Sequence, residues 1–290
     1  MKLPKHIAEL NCFTGLNSAQ PVSGGLSNEI WHVTDAQGDH ILRLGKDYPW
    51  HHVDRAREAM TTAAAHAAGF GPKLHHWQPG MMVTEYLRVN TWSAADVRAN
   101  PERLIALLRR FHQEMPRHIS GAAFLFWPFH VIRDYVRTLS DTRHCGVAAE
   151  ALKLCDEAEA AQVPLPLVFG HNDLLPANIL EDEARLWLVD YEYAGFSTPL
   201  FDLAGLASNA QMSRSEARTL LGIYYQEVPE PPLLRAFEAM QVAAMLREWL
   251  WALVSDVHLA APGVDYIAYA EENRARLDEA LARYAEEWGG

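Results

Sequence analysis

Along the first part of the chain, apolar positions come in short runs. Ile30 to Thr34 alternates with a period of two, Asp35 to Asp39 is a polar turn containing Gly38, and His40 to Leu44 is a second short run; together they predict a β-hairpin. Asp54 stands where a helix cap is expected, before Arg57, Glu58 and the alanines up to Ala68, with Gly69 and Pro72 as stop signals. Met81 to Leu87 reads as a buried strand that leads into a linker. From Asn100-Pro101-Glu102 the spacing becomes helical, with Leu104, Leu107, Leu108 and Phe111 on one face. Further helices are predicted over Phe129 to Leu139 and Val147 to Ala161, then short strands at Leu167 to Phe169, Ile179 to Glu181 and Arg185 to Val189. After Pro199 the pattern is helical almost to the end, with one long stretch through Gln241 to Val254. The expected architecture is α+β: a sheet-rich lobe over 1–88 and a mainly helical lobe over 89–290.

Charge narrows the choice of partner. The 37 acidic and 25 basic residues give a net charge of −12, which disfavours nucleic acid because binding its backbone needs clustered Lys and Arg. The surplus acid suits a cationic ligand, although an ordinary soluble surface has the same composition. Cys12, Cys145 and Cys155 lack metal-ligand spacing and read as reduced thiols, the pattern of a cytoplasmic protein. No signal peptide is expected in Met1 to Phe13. The most apolar stretch, Leu246 to Val257, is broken by Arg247, Glu248 and Asp256, so no membrane span is expected.

The chemistry concentrates in Gly170-His171-Asn172-Asp173-Leu174-Leu175-Pro176-Ala177-Asn178-Ile179-Leu180. Twelve residues after Asn178, Asp190 follows the apolar pair Leu188-Val189. Phosphoryl transfer accounts for this spacing. Asp173 can take the proton of an attacking hydroxyl, while Asn178 and Asp190 supply hard oxygen ligands for Mg²⁺. Any one of these residues alone would read as a turn former or a helix cap; the joint spacing argues for a site. Upstream, Ser23-Gly24-Gly25-Leu26-Ser27-Asn28 lies between two predicted strands, where glycines let backbone approach phosphates.

His171-x-Asp173-x₄-Asn178 followed by Asp190 resembles the catalytic and metal-binding loops of kinases. The form His-Asn-Asp-Leu with Pro176, then Asp190-Tyr191-Glu192-Tyr193 and Phe201-Asp202-Leu203-Ala204, is similar to the choline/ethanolamine kinase family within the aminoglycoside phosphotransferase superfamily. The resemblance implies a bilobal protein-kinase-like fold that uses ATP and Mg²⁺. It implies nucleotide contacts at Gly25, Ser27, Asn28 and Arg43, with Glu58 as the partner of Arg43, and an adenine hinge near Glu85 and Leu87. It also implies that His171 is mainly structural and that Asp202 braces the catalytic loop.

Only eleven residues separate Asp190 from Asp202, too few for the activation segment of a protein kinase, so a small-molecule acceptor is expected. By resemblance, Trp249 and Trp251 with Glu248, Glu192, Tyr193 and Asp256 would surround a cationic amino alcohol. The same tryptophans could equally be core positions of a long helix. The tryptophans stand two apart where the family usually has them three apart, and Leu175 replaces a common glutamine. Aminoglycoside, thiamine or sugar acceptors, and a catalytically silent nucleotide-binding protein, are the alternatives.

Overall fold

The structure, a computed structural model, describes residues 4–22, 28–122, 124–259, 261 and 263–289. After a short helix α1 (Lys5–Ala8), the chain builds strands β1 (Ser18–Pro21), β2 (Glu29–Asp35) and β3 (Gly38–Leu44). Helix α2 (Arg55–Ala67) follows, then β4 (Leu74–Gln78) and β5 (Met81–Glu85). The five strands form one antiparallel sheet in the order β1-β2-β3-β5-β4. Its apolar positions, Ala19, Val33, Leu42, Met81 and Val83, bury a small core together with Ile7 of α1. Helix α2 begins where predicted, because the Asp54 carboxylate accepts the Arg57 N–H at 2.9 Å and so satisfies one free donor of the first turn.

The rest is mainly helical and surrounds one much larger core. A short strand β6 (Asn90–Thr91) leads to helices α3 (Ala94–Ala99), α4 (Pro101–Glu114), α5 (Pro128–Leu139) and α6 (Ala148–Ala160). Four short strands follow: β7 (Val168–Gly170), β8 (Ile179–Glu181), β9 (Leu186–Leu188) and β10 (Gly195–Ser197). They pair as β10 with β7 and as β6-β8-β9. Helices α7 (Pro199–Asn209), α8 (Arg214–Tyr225), α9 (Pro231–His258) and α10 (Tyr266–Trp288) complete the chain. Helix α9 is buried along most of its length, as expected of a helix apolar on all faces. Among the described residues, no helix is long and apolar enough to cross a membrane.

The predicted elements recur with ends moved by a few residues. Strand β1 was expected only as the strand ahead of the glycine-rich loop, without bounds, and β4, β6 and β10 and helices α1 and α3 were not predicted. β1 and β4 are the edge strands of their sheet, β6 has two residues and β10 has three, so none shows a sustained alternation.

Candidate active site

The loop after β7 is held by its backbone. On α7, Asp202 accepts the N–H of His171 at 2.8 Å and of Asn172 at 2.6 Å, and His112 of α4 meets the same carboxylate at 2.9 Å. Burial works to raise the Asp202 carboxyl, but the His112 bond and charge, with the His171 side, hold it below the usual carboxylate range. Asn172 takes a left-handed φ of 62° and donates its side-chain amide to the carbonyls of Tyr193 (3.1 Å) and Gly195 (3.2 Å). A Cβ on Gly170 would stand 2.7 Å from Asn172 Oδ1, so any larger residue would have to displace the Asn172 amide. The turn therefore presents Asp173 from a fixed frame.

The next two residues of the set come from the ends of a hairpin. Asn178 immediately precedes β8, Asp190 lies two residues beyond β9, and the two strands pair Ile179 with Leu188. Asn178 donates its amide at 2.9 Å to the carbonyl of Asp173, which turns its Oδ1 away. His171 donates from Nε2 to the Val189 carbonyl at 3.0 Å, tying the Asp173 loop to the Asp190 loop. Burial lowers the His171 pKa, in keeping with a neutral ring that donates to a carbonyl. Asp190 has a left-handed φ of 66°. Among the described residues, no cluster of three His, Cys, Asp or Glu side chains could hold a metal alone. An Asp and an Asn oxygen completed by phosphate and water oxygens is a donor set that fits Mg²⁺.

Four charged residues link the sheet to this loop. Arg43 of β3 forms an ion pair with Glu58 of α2 and donates to Asp190 Oδ1 at 2.9 Å. Glu58 is also met by Arg55 at 2.6 Å, and Arg55 reaches Glu192 at 2.8 Å and Asn28 at 2.7 Å. Arg43, Arg55, Glu58 and Glu192 are all buried. Arg55 was missed at the sequence level; its one local signal is its position three before Glu58 on a helix. Gly25 and Ser27 lie outside the described residues, so of the glycine-rich loop only Asn28 is placed. Glu85 ends β5 and Leu87 lies on the link that follows. The Glu85 amide already donates to the Lys73 carbonyl at 2.8 Å and is not free to meet a base.

On the helical side a small pocket is lined by Asn172, Asp173, Leu174, Met245, Arg247 and Glu248. Burial pushes the Asp173 carboxyl well up; the Arg247 charge opposes this, while Glu248, Asp190 and Glu192 add to it. Trp251 donates its indole N–H to the Tyr193 hydroxyl at 2.9 Å and packs edge-on to His51 and Tyr269. Trp249 instead lies under the Arg274 guanidinium of α10 at 4.9 Å. Asp256 is engaged by Arg143 and by His144 at 2.6 Å. Glu248 accepts from Arg247 at 2.8 Å and from the Tyr269 hydroxyl at 2.7 Å. The structure thus brings Tyr193 and Glu248 against Arg247, a residue not counted among the expected ligands, with Trp251 behind Tyr193, and sets Glu192 on Arg55 and Trp249 and Asp256 against other partners.

A two-lobed chain with an antiparallel sheet, a helical lobe and this loop pair between them has the protein-kinase-like fold. Residues 19–247 match the choline/ethanolamine kinase family, and the chain belongs to it, a family of ATP-dependent phosphotransferases that act on an alcohol. Among curated relatives it is similar to the protein LicA of Haemophilus influenzae, 26% identical over 210 residues; the match takes in 69% of this chain and 61% of that protein. A solved choline/ethanolamine kinase family protein from Mesorhizobium loti superposes with a TM-score of 0.72 at 28% identity, covering 96% of this chain and 91% of that one. A LicA structure in complex with AMP shares the fold, with a TM-score of 0.72 at 17% identity over 91% of this chain and 92% of that one.

Proposed function

We propose that this chain is an ATP- and Mg²⁺-dependent kinase that phosphorylates the hydroxyl of a small amino alcohol. The observation that carries the reading is the joint fixing of base and metal residues: Asn178 donates to the Asp173 carbonyl, and His171 ties the Asp173 loop to Val189, next to Asp190. In this reading the lobe over 1–88 holds the nucleotide and that over 89–290 the acceptor. Asp173 accepts the proton of the acceptor hydroxyl, and its upward-shifted carboxyl suits that task. Asn178 and Asp190 hold Mg²⁺, which would neutralise phosphate charge when bound. Arg43, fixed by Glu58, takes an ATP phosphate, together with Asn28 and the glycine-rich loop. Catalysis then comes mostly from positioning and charge stabilisation. The AMP found with LicA supports nucleotide use.

The acceptor's ammonium would meet carboxylates around Asp173, where Glu192 and Glu248 lie. Three free thiols, Cys12, Cys145 and Cys155, support a cytoplasmic location. The test is ADP formation from ATP and Mg²⁺ over a panel of choline, ethanolamine, thiamine, sugars and aminoglycosides. Stimulation by an amino alcohol, lost in Asp173→Asn, is the expected result. Undiminished turnover in Asp173→Asn would overturn the mechanism.

A further inference from the structure

We propose that Arg247 fits the acceptor pocket to an amino alcohol that also carries a carboxylate, a hydroxy amino acid, rather than to a choline-like cation. This rests on the phosphotransfer reading above and names the acceptor class of the same site.

Three observations converge. First, Arg247 is 3% exposed, yet its Nε and Nη2 have no hydrogen-bond partner among the described residues. These two nitrogens form the side edge of the guanidinium, whose parallel N–H groups match the two oxygens of a carboxylate. Nη1 donates to Glu248 at 2.8 Å, and the hydroxyl of the buried Tyr135 lies beside the same guanidinium. A buried guanidinium with its bidentate edge unsatisfied is costly unless something completes it. Second, Arg247 lines the same pocket as Asp173, so a group bound to it belongs to the molecule whose hydroxyl faces Asp173.

Third, the seat for a ligand cation is already taken. The guanidinium carbon of Arg247 lies 4.4 Å from the centre of the Tyr193 ring, the position in which an ammonium would gain from the aromatic face. A quaternary ammonium placed there would meet a fixed positive charge. Of the carboxylates expected to receive it, Glu192 is held by Arg55, which leaves Glu248. A carboxylate docking on the Arg247 edge supplies the missing acceptor, and Glu248 beside it is placed for the ammonium of the same molecule.

The experiment compares pairs of acceptors that differ only by the carboxylate, serine with ethanolamine and homoserine with 3-aminopropanol, by kcat/KM for ADP formation with the full chain. The carboxylated member of a pair is expected to be preferred by on the order of 10,000-fold, the scale at which a site with buried donors left unpaired rejects an analogue. Arg247→Met should erase that preference. Arg247→Lys, which keeps the charge and loses the fork, should retain a small part of it and guards against misfolding of the first variant. Preference for ethanolamine or choline overturns the proposal, as does a ratio unmoved in Arg247→Met. If no acceptor is used while slow, Asp173-dependent ATP hydrolysis persists, the acceptor class is wrong and phosphotransfer stands. Absence of that hydrolysis and of Mg·ATP binding as well removes the phosphotransfer reading itself.

Discussion

Arg43 donates to Asp190 at 2.9 Å, joining the central strand of the sheet to the loop after β9 across 147 residues. The same guanidinium meets Glu58, so one arginine ties α2, the sheet and the second loop together. Asp190→Ala removes one anion and leaves Arg43 with its other partner. Turnover is expected to fall by at least about 1,000-fold, while the urea midpoint shifts little because the Asp190 side chain is 35% exposed. Purified variant protein with more than a tenth of wild-type kcat would contradict the assignment.

Arg55 has no freedom to be lost cheaply. It pairs with both Glu58 and Glu192, each almost fully buried, so Arg55→Met leaves two carboxylates with a missing partner. The expected destabilisation is about 3–5 kcal/mol, the range for breaking a buried pair by removing one member. Arg55→Met combined with Glu192→Leu should cost less than the sum of the two single changes, measured by a double-mutant cycle in urea. Strict additivity would mean that the two residues do not interact in solution.

Asp173 gives a pH signature. Burial raises its carboxyl and Arg247 opposes the rise, so the acid limb of kcat/KM should fall above the ordinary carboxylate range of about 4. Removing the opposing charge raises the folded pKa further. Arg247→Met is therefore expected to move the acid limb to higher pH, read from a pH–rate profile with any acceptor the variant still uses. A limb that stays put, or moves down, would show that the Arg247 charge does not reach the base.

Stability in acid should depend on Asp35 in the small sheet core. Burial acts to raise its carboxyl, but the Thr14 and Gln37 N–H groups and His40 outweigh it and hold the pKa at about 2. A depressed folded pKa means that Asp35 stabilises the fold above its unfolded value near 4, and that this share is lost as pH falls toward 2. The Tm difference between wild type and Asp35→Asn should be largest above pH 4 and shrink toward pH 2. A difference constant across that window would rule out the ionised form as the source.

Gly170→Ala tests the frame of the catalytic loop. Its Cβ would lie 2.7 Å from Asn172 Oδ1 and 3.2 Å from Asp202 Oδ2, both in buried groups that hold the loop. A loss of about 1–3 kcal/mol is expected by thermal or urea unfolding, with kcat reduced more than KM is raised.

The most legible parts of the chain were those set by neighbours in sequence. The spacing of Asp173, Asn178 and Asp190 is carried by one loop and one hairpin, and Asp54 and Asn100 stand immediately before the helices they were expected to begin. Arg55 and Arg247 were not assigned a role, because their roles depend on partners brought close only by the fold; Glu192 lies 137 residues from Arg55. Trp249 and Trp251 show the same limit. Both suit a buried helix, and only the packing sends one to Tyr193 and the other to Arg274.

Helix α9 carries Met245, Arg247 and Glu248 to the pocket on a single rod of 28 residues that starts at Pro231. Each residue of an α-helix turns the next by about 100°. A one-residue insertion or deletion between 231 and 245 would therefore rotate all three side chains away together, whereas a change of length in the segment before Pro231 leaves their bearing intact. Evolution and engineering alike can lengthen the connection ahead of this helix, but the stretch that leads to the pocket has a fixed length.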